Sequence, residues 1–190
     1  IEHHAILHTC KQLEKEGFEV TYLPVDEYGR VTPEELEKAI RPDTTIVSIM
    51  TANNEIGTIE PVAELGAVCR KHGVLFHTDA VQAIGSVKFN MKEMPIDMLS
   101  MSGHKFHGPK GVGVLFIRKG VHIQQFMQGG AQERNQRAGT ENLASIVGLG
   151  KAIELATANV DAHNAQLSAI RDHMIERILK EIPYSRLNGD

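Results

Sequence analysis

The sequence predicts an α/β fold in which a mainly parallel β-sheet carries helices on both faces. Three observations support this prediction. Segments with apolar residues at helical spacing alternate with short extended segments, which is the pattern of βα units. Capping residues, prolines and glycines separate these segments. The chain has 190 residues, of which 42% are hydrophobic, so it can bury the core that such a sheet requires.

The first elements of the chain are predicted from one amphipathic stripe and from helix-capping residues. A helix is predicted over residues 3–16, ended by Gly17. The apolar residues on its inner face are Ile6, Leu7, Cys10 and Leu13. A strand is predicted over Glu19–Val25. The next helix, over residues 33–40, begins with a capping box in which Thr32 is the N-cap.

The remaining elements continue the alternation. Further strands are predicted at Thr45–Thr51, Val74–Asp79, Met98–Ser102 and Val112–Arg118. A helix opened by Pro61 and closed by Gly73 lies between the first two. From Leu143 onward the chain is predicted to be helical. Its long apolar stripe consists of Leu167, Ile170, Met174, Ile178 and Ile182. Ligands bind at the carboxyl ends of strands in such sheets, so the residues after each strand are the candidate site residues.

Composition argues against several classes of protein. The net charge is −4, from 24 acidic and 20 basic residues, which argues against a general nucleic-acid-binding or anionic-membrane surface. No apolar run approaches the roughly 20 residues that cross a bilayer. The two cysteines, Cys10 and Cys69, make no disulfide framework and lie on apolar helix stripes. We therefore expect packed thiols in a cytoplasmic protein that has no direct nucleic-acid or membrane partner.

Polar side chains follow three of the predicted strands. They are Asp79 and Gln82 after one strand, Ser102, His104 and Lys105 after the next, and residues 51–55 after the strand before them. One carboxylate, one lysine and several hydroxyl, imidazole and amide groups are therefore expected at one edge of the sheet.

Three interpretations of this set are possible. An ion pair between Asp79 and Lys105 alone would contribute only about 0–1 kcal/mol at a surface. A metal site would draw on His77, His104 and His107 with Asp79, but their spacing matches no zinc pattern. Pyridoxal phosphate accounts for more of the residues. Its aldehyde needs a lysine amine for a Schiff base, its ring nitrogen needs an anionic partner, and its phosphate needs hydroxyl and N–H donors.

Four segments, in this order along the chain, resemble the cysteine desulfurases of the NifS/IscS type, which are fold-type I pyridoxal-phosphate enzymes of the class V aminotransferase group. Asn53–Gly57 is similar to the family's segment that contacts the substrate carboxylate and the ring. His77–Gln82 is similar to its pyridine-nitrogen strand, and Ser102–Gly111 to its Schiff-base lysine segment. Gly129–Thr140 resembles its glycine-rich dimer-interface segment. The resemblance covers essentially the whole chain and implies the large domain of a pyridoxal-phosphate-dependent transferase.

The resemblance also implies a role for each candidate residue. Lys105 would hold the cofactor aldehyde and later move the Cα proton of the substrate. His3 would stack on the cofactor ring and handle the proton of the substrate thiol. The remaining implied contacts are Asp79 with the ring nitrogen, Gln82 with the ring hydroxyl, Ser102 and His104 with the phosphate, Asn54 with the ring oxygen and the substrate carboxylate, and Thr140 with the phosphate of the other subunit. The contact of Thr140 implies a homodimer.

The activity implied by the resemblance is that of a cysteine desulfurase. Such an enzyme converts L-cysteine to L-alanine and passes the sulfur, as an enzyme persulfide, to an acceptor such as an iron–sulfur scaffold or a tRNA-thiolation protein. A selenocysteine lyase or another class V aminotransferase is the alternative enzyme. A cofactor-free scaffold that docks sulfur acceptors is the alternative outside the enzymes.

Finally, the resemblance implies that the chain is incomplete. The family's persulfide-forming cysteine and its substrate-carboxylate arginine lie in a later, smaller domain that these 190 residues do not include. We expect residues 1–159 to be the central part of the cofactor-binding large domain. Residues 160–190 are expected to form a long helix that leads toward the C-terminal small domain. The chain alone is expected to release no sulfur from cysteine.

Overall fold

The computed structural model describes residues 1–189 and contains a four-stranded mixed sheet with helices packed against it. The strands are β1 (Ile46–Ser48), β2 (Leu75–Asp79), β3 (Met98–Ser102) and β4 (Gly113–Ile117), and they lie side by side in that order. The first three strands are parallel, and β4 is antiparallel to β3. The predicted fold class, a mainly parallel α/β sheet, is therefore confirmed.

Six helical segments accompany the sheet. They are α1 (His4–Lys15), α2 (Pro33–Ala39), α3 (Val62–Lys71), the single turn α4 (Gln132–Asn135), α5 (Leu143–Ala158) and α6 (Val160–Glu181). The predicted caps are present. Thr32 Oγ1 accepts a hydrogen bond from the backbone N–H of Glu35 at 3.2 Å. After α1, Gly17 has a φ of +93°, and the N–H of Phe18 donates to the carbonyl of Leu13. This is the arrangement in which a left-handed glycine ends a helix.

One expectation about the elements is wrong. Glu19–Val25 is extended but pairs with no strand among the described residues. It is held instead by the guanidinium of Arg41, which donates to the carbonyl of Glu19 and the hydroxyl of Thr21. The long helix predicted from residue 160 is present as α6, which ends at Glu181 and is separated from α5 by a break at Asn159. In residues 1–189 no single helix is long and apolar enough to cross a membrane, and α5 with α6 meets that test only as a pair bent by 71°.

The main core lies between the sheet and α3. Its fully buried side chains include Leu36, Leu65, Cys69, Phe76, Ile96 and Leu99. Cys69 is one of the two packed thiols that the sequence predicts, whereas Cys10 on α1 is only partly buried. Side chains of adjacent residues in a strand point to opposite faces. Because Phe76 faces this core, His77 and Asp79 of the same strand both lie on the opposite face of the sheet.

Candidate active site

The register of the sheet brings two predicted site segments to the same edge. Asp79 is the last residue of β2 and lies opposite Ser100 of β3. Two residues later, β3 ends at Ser102. The strands are parallel neighbours, roughly 4.8 Å apart. Asp79, at the end of β2, and the loop that carries Lys105, after the end of β3, therefore lie at the same edge of the sheet.

The carboxylate of Asp79 is buried without a cation. Asp79 is only 8% exposed, and its Oδ1 accepts a hydrogen bond from the backbone N–H of Val81 at 2.9 Å. Within residues 1–189 no lysine or arginine forms an ion pair with it, so the simple Asp79–Lys105 ion pair is not what the structure contains. A buried carboxylate is costly unless a positive group compensates it. Asp79 therefore fits a ligand that carries a cationic ring nitrogen.

The loop after β3 is compact because glycines allow its backbone to turn back on itself. Gly103–Phe106 forms a short 3-10 turn, which His107 ends with a φ of +65°. The N–H of Gly108 then donates to the carbonyl of Gly103 at 2.8 Å. A Cβ atom on Gly108 would lie 2.8 Å from that same oxygen, so only glycine fits this close approach.

This turn presents three polar groups. Lys105 is exposed, and so is His104. The ring nitrogen Nδ1 of His104 lies 2.8 Å from the hydroxyl of Ser102. Hydroxyl and imidazole groups that are already held together are suited to share one anionic ligand such as a phosphate.

The segment after β1 is shaped by Asn53 rather than by the predicted Asn54. Asn53 is buried, and its Oδ1 accepts hydrogen bonds from the N–H groups of Glu55 and Ile56, while its Nδ2 donates to the carbonyl of Ile1 at 2.7 Å. Asn54 is exposed at the surface of the turn that Asn53 creates. Sequence reasoning missed Asn53, although an asparagine that bonds backbone N–H groups two and three residues ahead is a common turn signal.

His3 lies at the N-terminus of α1 and acts as its cap. Its Nδ1 accepts a hydrogen bond from the backbone N–H of Ala5 at 3.1 Å, and the ring is exposed. The preceding residue, Glu2, was missed by the sequence analysis. Its Oε1 accepts a hydrogen bond from the N–H of Met50, at the end of β1. Burial raises the pKa of Glu2 to about 7, and the negative charge of Asp79 adds to this effect.

The remaining candidates are exposed. Gln82 lies three residues past Asp79 at the surface. Thr140 is also exposed and precedes Asn142, whose Oδ1 caps α5 by accepting a hydrogen bond from the N–H of Ser145. The structure therefore gives Asn142 the capping role. It brings Thr140 into no side-chain hydrogen bond among the described residues, and the role of Thr140 toward another subunit stays a prediction.

The donor set at the strand ends fits pyridoxal phosphate. A buried carboxylate without a cation matches the ring nitrogen, the paired groups of Ser102 and His104 match the phosphate, and the exposed amine of Lys105 is free of ion pairs among the described residues. Each polar group of the cofactor thus has a chemically suitable partner.

Comparison with known proteins agrees with this chemistry. The family described as "Aminotransferase class-V" matches residues 1–190. The chain is 61% identical over its full length to the cysteine desulfurase IscS of Methanosarcina thermophila, of which it covers 46%. It is 60% identical to the cysteine desulfurase IscS of Clostridium botulinum, of which it covers 48%. Among solved structures, a NifS-like protein superposes with a TM-score of 0.91 at 45% identity, over 95% of this chain and 50% of that one.

The chain therefore spans about half the length of the curated relatives that it matches. The match of the family nevertheless includes every residue of the chain, and the sheet, the strand-end carboxylate and the lysine loop occur together within it. From these findings we conclude that this chain belongs to the class-V aminotransferase family.

Proposed function

We propose that this chain is the cofactor-binding part of a cysteine desulfurase, which uses pyridoxal phosphate to convert L-cysteine to L-alanine and passes the sulfur on as a persulfide. The observation that carries the proposal is the buried carboxylate of Asp79, which lacks a cation and ends the strand next to the one that leads to Lys105. The identity to cysteine desulfurases over the whole chain supports this choice over the alternative activities.

The residues at the strand ends would bind and orient the cofactor. Bound pyridoxal phosphate supplies an electron sink for the electron pair that remains when a proton leaves the Cα atom of an amino acid. Asp79 would accept a hydrogen bond from the ring nitrogen and keep that nitrogen protonated. Ser102 and His104 would bind the phosphate. Gln82 and Asn54 would contact the ring oxygen.

Two residues would move protons. The amine of Lys105 would take the proton from the Cα atom of L-cysteine and deliver one to the product. His3 would handle the proton of the substrate thiol. Because Nδ1 of His3 accepts the N–H of Ala5, the neutral ring carries its proton on Nε2. Nε2 is therefore the nitrogen that can donate a proton to a substrate.

Neither cysteine of this chain is suited to accept the sulfur. Burial raises the pKa of Cys69 to about 11, and burial also raises the pKa of Cys10. Both are therefore thiols at neutral pH, whereas attack on the substrate sulfur requires a thiolate. We place the persulfide-forming cysteine in a smaller domain, to which residues 160–190 lead from the large-domain part formed by residues 1–159.

The proposed enzyme is a cytoplasmic homodimer that delivers sulfur to an acceptor protein, such as an iron–sulfur scaffold or a tRNA-thiolation protein. Exposed apolar side chains on either side of Thr140 in the sequence support the dimer, because large apolar surfaces usually mark contacts with other chains. Phe126 is 97% exposed and Val147 is 72% exposed. A partner on this surface would leave Thr140 in position to reach the phosphate of the other subunit.

The proposal is tested with Lys105→Ala in the full-length enzyme, with Lys110→Ala as the control in the same exposed loop. A positioned base contributes roughly 10²–10⁴-fold to a rate. We therefore expect Lys105→Ala to lose at least about 100-fold in alanine production from L-cysteine. We also expect no cofactor on the peptide that carries residue 105 after borohydride reduction and mass spectrometry. Lys110→Ala should keep both properties.

Retention of normal alanine production by Lys105→Ala would contradict the proposal, as would a wild-type enzyme that binds no pyridoxal phosphate. Parallel assays with L-cysteine and L-selenocysteine measure the substrate preference. A strong preference for selenocysteine would instead support a selenocysteine lyase.

A further inference from the structure

A buried polar chain crosses three strands directly behind Asp79. His77 lies two residues before Asp79 on β2 and is only 8% exposed. Its Nδ1 is 2.8 Å from the hydroxyl of Ser48 on β1, and its Nε2 is 2.8 Å from the hydroxyl of Ser100 on β3. Both ring nitrogens are thus satisfied inside the sheet, and a single histidine joins β1 to β3 across β2.

The sheet register places these hydrogen-bonded side chains next to Asp79, the predicted partner of the ring nitrogen. His77 and Asp79 lie on the same face of β2, because side chains two residues apart in a strand do so. Ser100 lies directly opposite Asp79 on the neighbouring strand. Its hydroxyl is nevertheless used by His77 and not by Asp79, whose Oδ1 is bonded to the N–H of Val81. The two side chains beside Asp79 are therefore bonded to each other.

The electrostatics are consistent with a neutral ring at this position. Burial lowers the pKa of His77, and the negative charge of Asp79 opposes that effect only in part. A neutral imidazole donates from one nitrogen and accepts at the other, which matches two serine hydroxyls. A neutral His77 also places no positive charge beside Asp79 that would compete with a cationic ligand.

We infer that His77 is a positioning residue for Asp79, because it is bonded to the hydroxyl of Ser100 and so leaves the second carboxylate oxygen of Asp79, Oδ2, for the ring nitrogen of the cofactor. This inference rests on the proposed function. Without His77, the Ser100 hydroxyl loses its hydrogen-bonding partner and is free to donate to the carboxylate of Asp79, which lies opposite it on the same face. A hydrogen bond from Ser100 would then weaken the bond of Asp79 to the ring nitrogen.

The test compares His77→Leu with the double variant His77→Leu/Ser100→Ala in the full-length protein. Equilibrium dialysis measures the Kd for pyridoxal phosphate. We expect His77→Leu to raise this Kd about tenfold, the effect of one hydrogen bond to a charged group. The double variant lacks the competing hydroxyl and should return to within about threefold of the wild type. If His77 served only to support the sheet, the second substitution would leave affinity as weak or weaken it further.

A crystal structure of the His77→Leu apoprotein gives a readout that needs no cofactor. We expect the Ser100 hydroxyl within hydrogen-bonding distance of the Asp79 carboxylate. If His77→Leu does not fold, His77→Asn replaces it in both comparisons, because its shorter amide leaves at least one serine free. An unchanged Kd in the single variant, a double variant that is not rescued, or a Ser100 hydroxyl that stays away from Asp79 would overturn the inference. A wild-type protein that binds no pyridoxal phosphate would refute the proposed function, and the apoprotein structure would still decide the role of His77.

Discussion

Two regions of this chain differ in how far their side chains find partners among the described residues. The strand-end region consists of the ends of β1, β2 and β3 with the residues that follow them, and the α5–α6 region consists of those two helices. At the strand ends, several buried polar side chains are bonded to one another: Thr51 is bonded to Thr78, and His77 is bonded to two serines. Along α5 and α6, large apolar side chains are exposed to solvent. The stripe predicted on α6 is between 39% and 60% exposed.

The segment that leads into α5 also has an unfavourable backbone conformation. Glu133, Arg134 and Asn135 of α4 all have positive φ angles, a conformation that costs roughly 1–2 kcal/mol per residue outside glycine. An apolar cleft of about 690 Å³ also lies beside α5 and the start of α6, and Phe89, Met101 and Ile153 are among its lining residues. The strand-end region is thus held by contacts among the described residues, whereas the second region leaves apolar side chains uncovered, as the proposed dimer requires.

Two helix glycines, one on α3 against the sheet and one on α5, provide the largest expected difference. A Cβ atom on Gly66 of α3 would lie 2.3 Å from the backbone oxygen of Pro95, whereas a Cβ on Gly150 of α5 meets nothing within 4 Å. Gly66→Ala should therefore destabilise the protein by about 3 kcal/mol, since overpacking against backbone costs roughly 1–3 kcal/mol or more. Gly150→Ala should be neutral or stabilising by up to about 1 kcal/mol. Urea unfolding measures both.

A tolerated Gly66→Ala would contradict the view that α3 is tightly packed against the segment before β3. A strongly destabilising or dimer-disrupting Gly150→Ala would show that another chain approaches α5 at this position. That result would place the proposed interface on the face of α5 that carries Gly150.

A charge on the exposed face of α5 tests the proposed dimer. Val147→Asp should weaken self-association at least about 30-fold, because an unpaired charge in the centre of an interface typically costs 2 kcal/mol or more. Sedimentation equilibrium of the full-length protein measures the effect. Lys38→Asp places the same side chain on α2, away from α5, at an exposed lysine whose amine donates to Glu35 Oε1. It is the matched control, and equal weakening by both variants would argue against a specific contact at Val147.

The sequence predicts the strand-end region well because its signals are local. Asp79 and Ser102 each end an apolar run, and Thr32 caps a helix within three residues of its partner. The polar chain through His77 could not be predicted, because its serines lie 29 and 23 residues away and meet the ring only through the sheet register.

Other errors have similarly physical causes. The segment Glu19–Val25 has a strand-like sequence, but a strand exists only where a neighbour pairs with it, and a pattern along one segment does not reveal the neighbour. The burial of Glu2 depends on a backbone N–H 48 residues away.

Glu2 connects the strand-end region to the pH dependence of stability. Its folded-state pKa of about 7, raised first by burial, exceeds the ordinary value of 4.5. The protonated form is therefore favoured by folding, and the cost of ionising Glu2 appears as the pH rises from about 4.5 to 7 and persists above it. Glu2→Gln should remove this cost and gain about 1–2 kcal/mol at pH 8 but almost nothing at pH 4.

Thermal unfolding of the full-length protein between pH 4 and pH 8 measures this difference. Glu55→Gln, at an exposed position two residues past Asn53, is the matched control and should not change the pH profile relative to the wild type. If Glu2→Gln lowered stability equally at both pH values, the hydrogen bond to Met50 would depend on the carboxylate itself, and the electrostatic account of Glu2 would be wrong.

The smallest expected effects come from two helix caps, one on α2 and one on α5. Thr32 caps α2 and Asn142 caps α5, each through a hydrogen bond to a backbone N–H three residues ahead. Replacing either with alanine should cost about 1 kcal/mol, because the same orphaned N–H is left in each helix. If α5 carries a dimer contact, Asn142→Ala should also weaken self-association, since fraying of the first turn moves Leu143 and Val147. Thr32→Ala should leave self-association unchanged. An equal effect of the two variants on the dimer would show that lost helix stability, and not a contact of α5, weakens self-association.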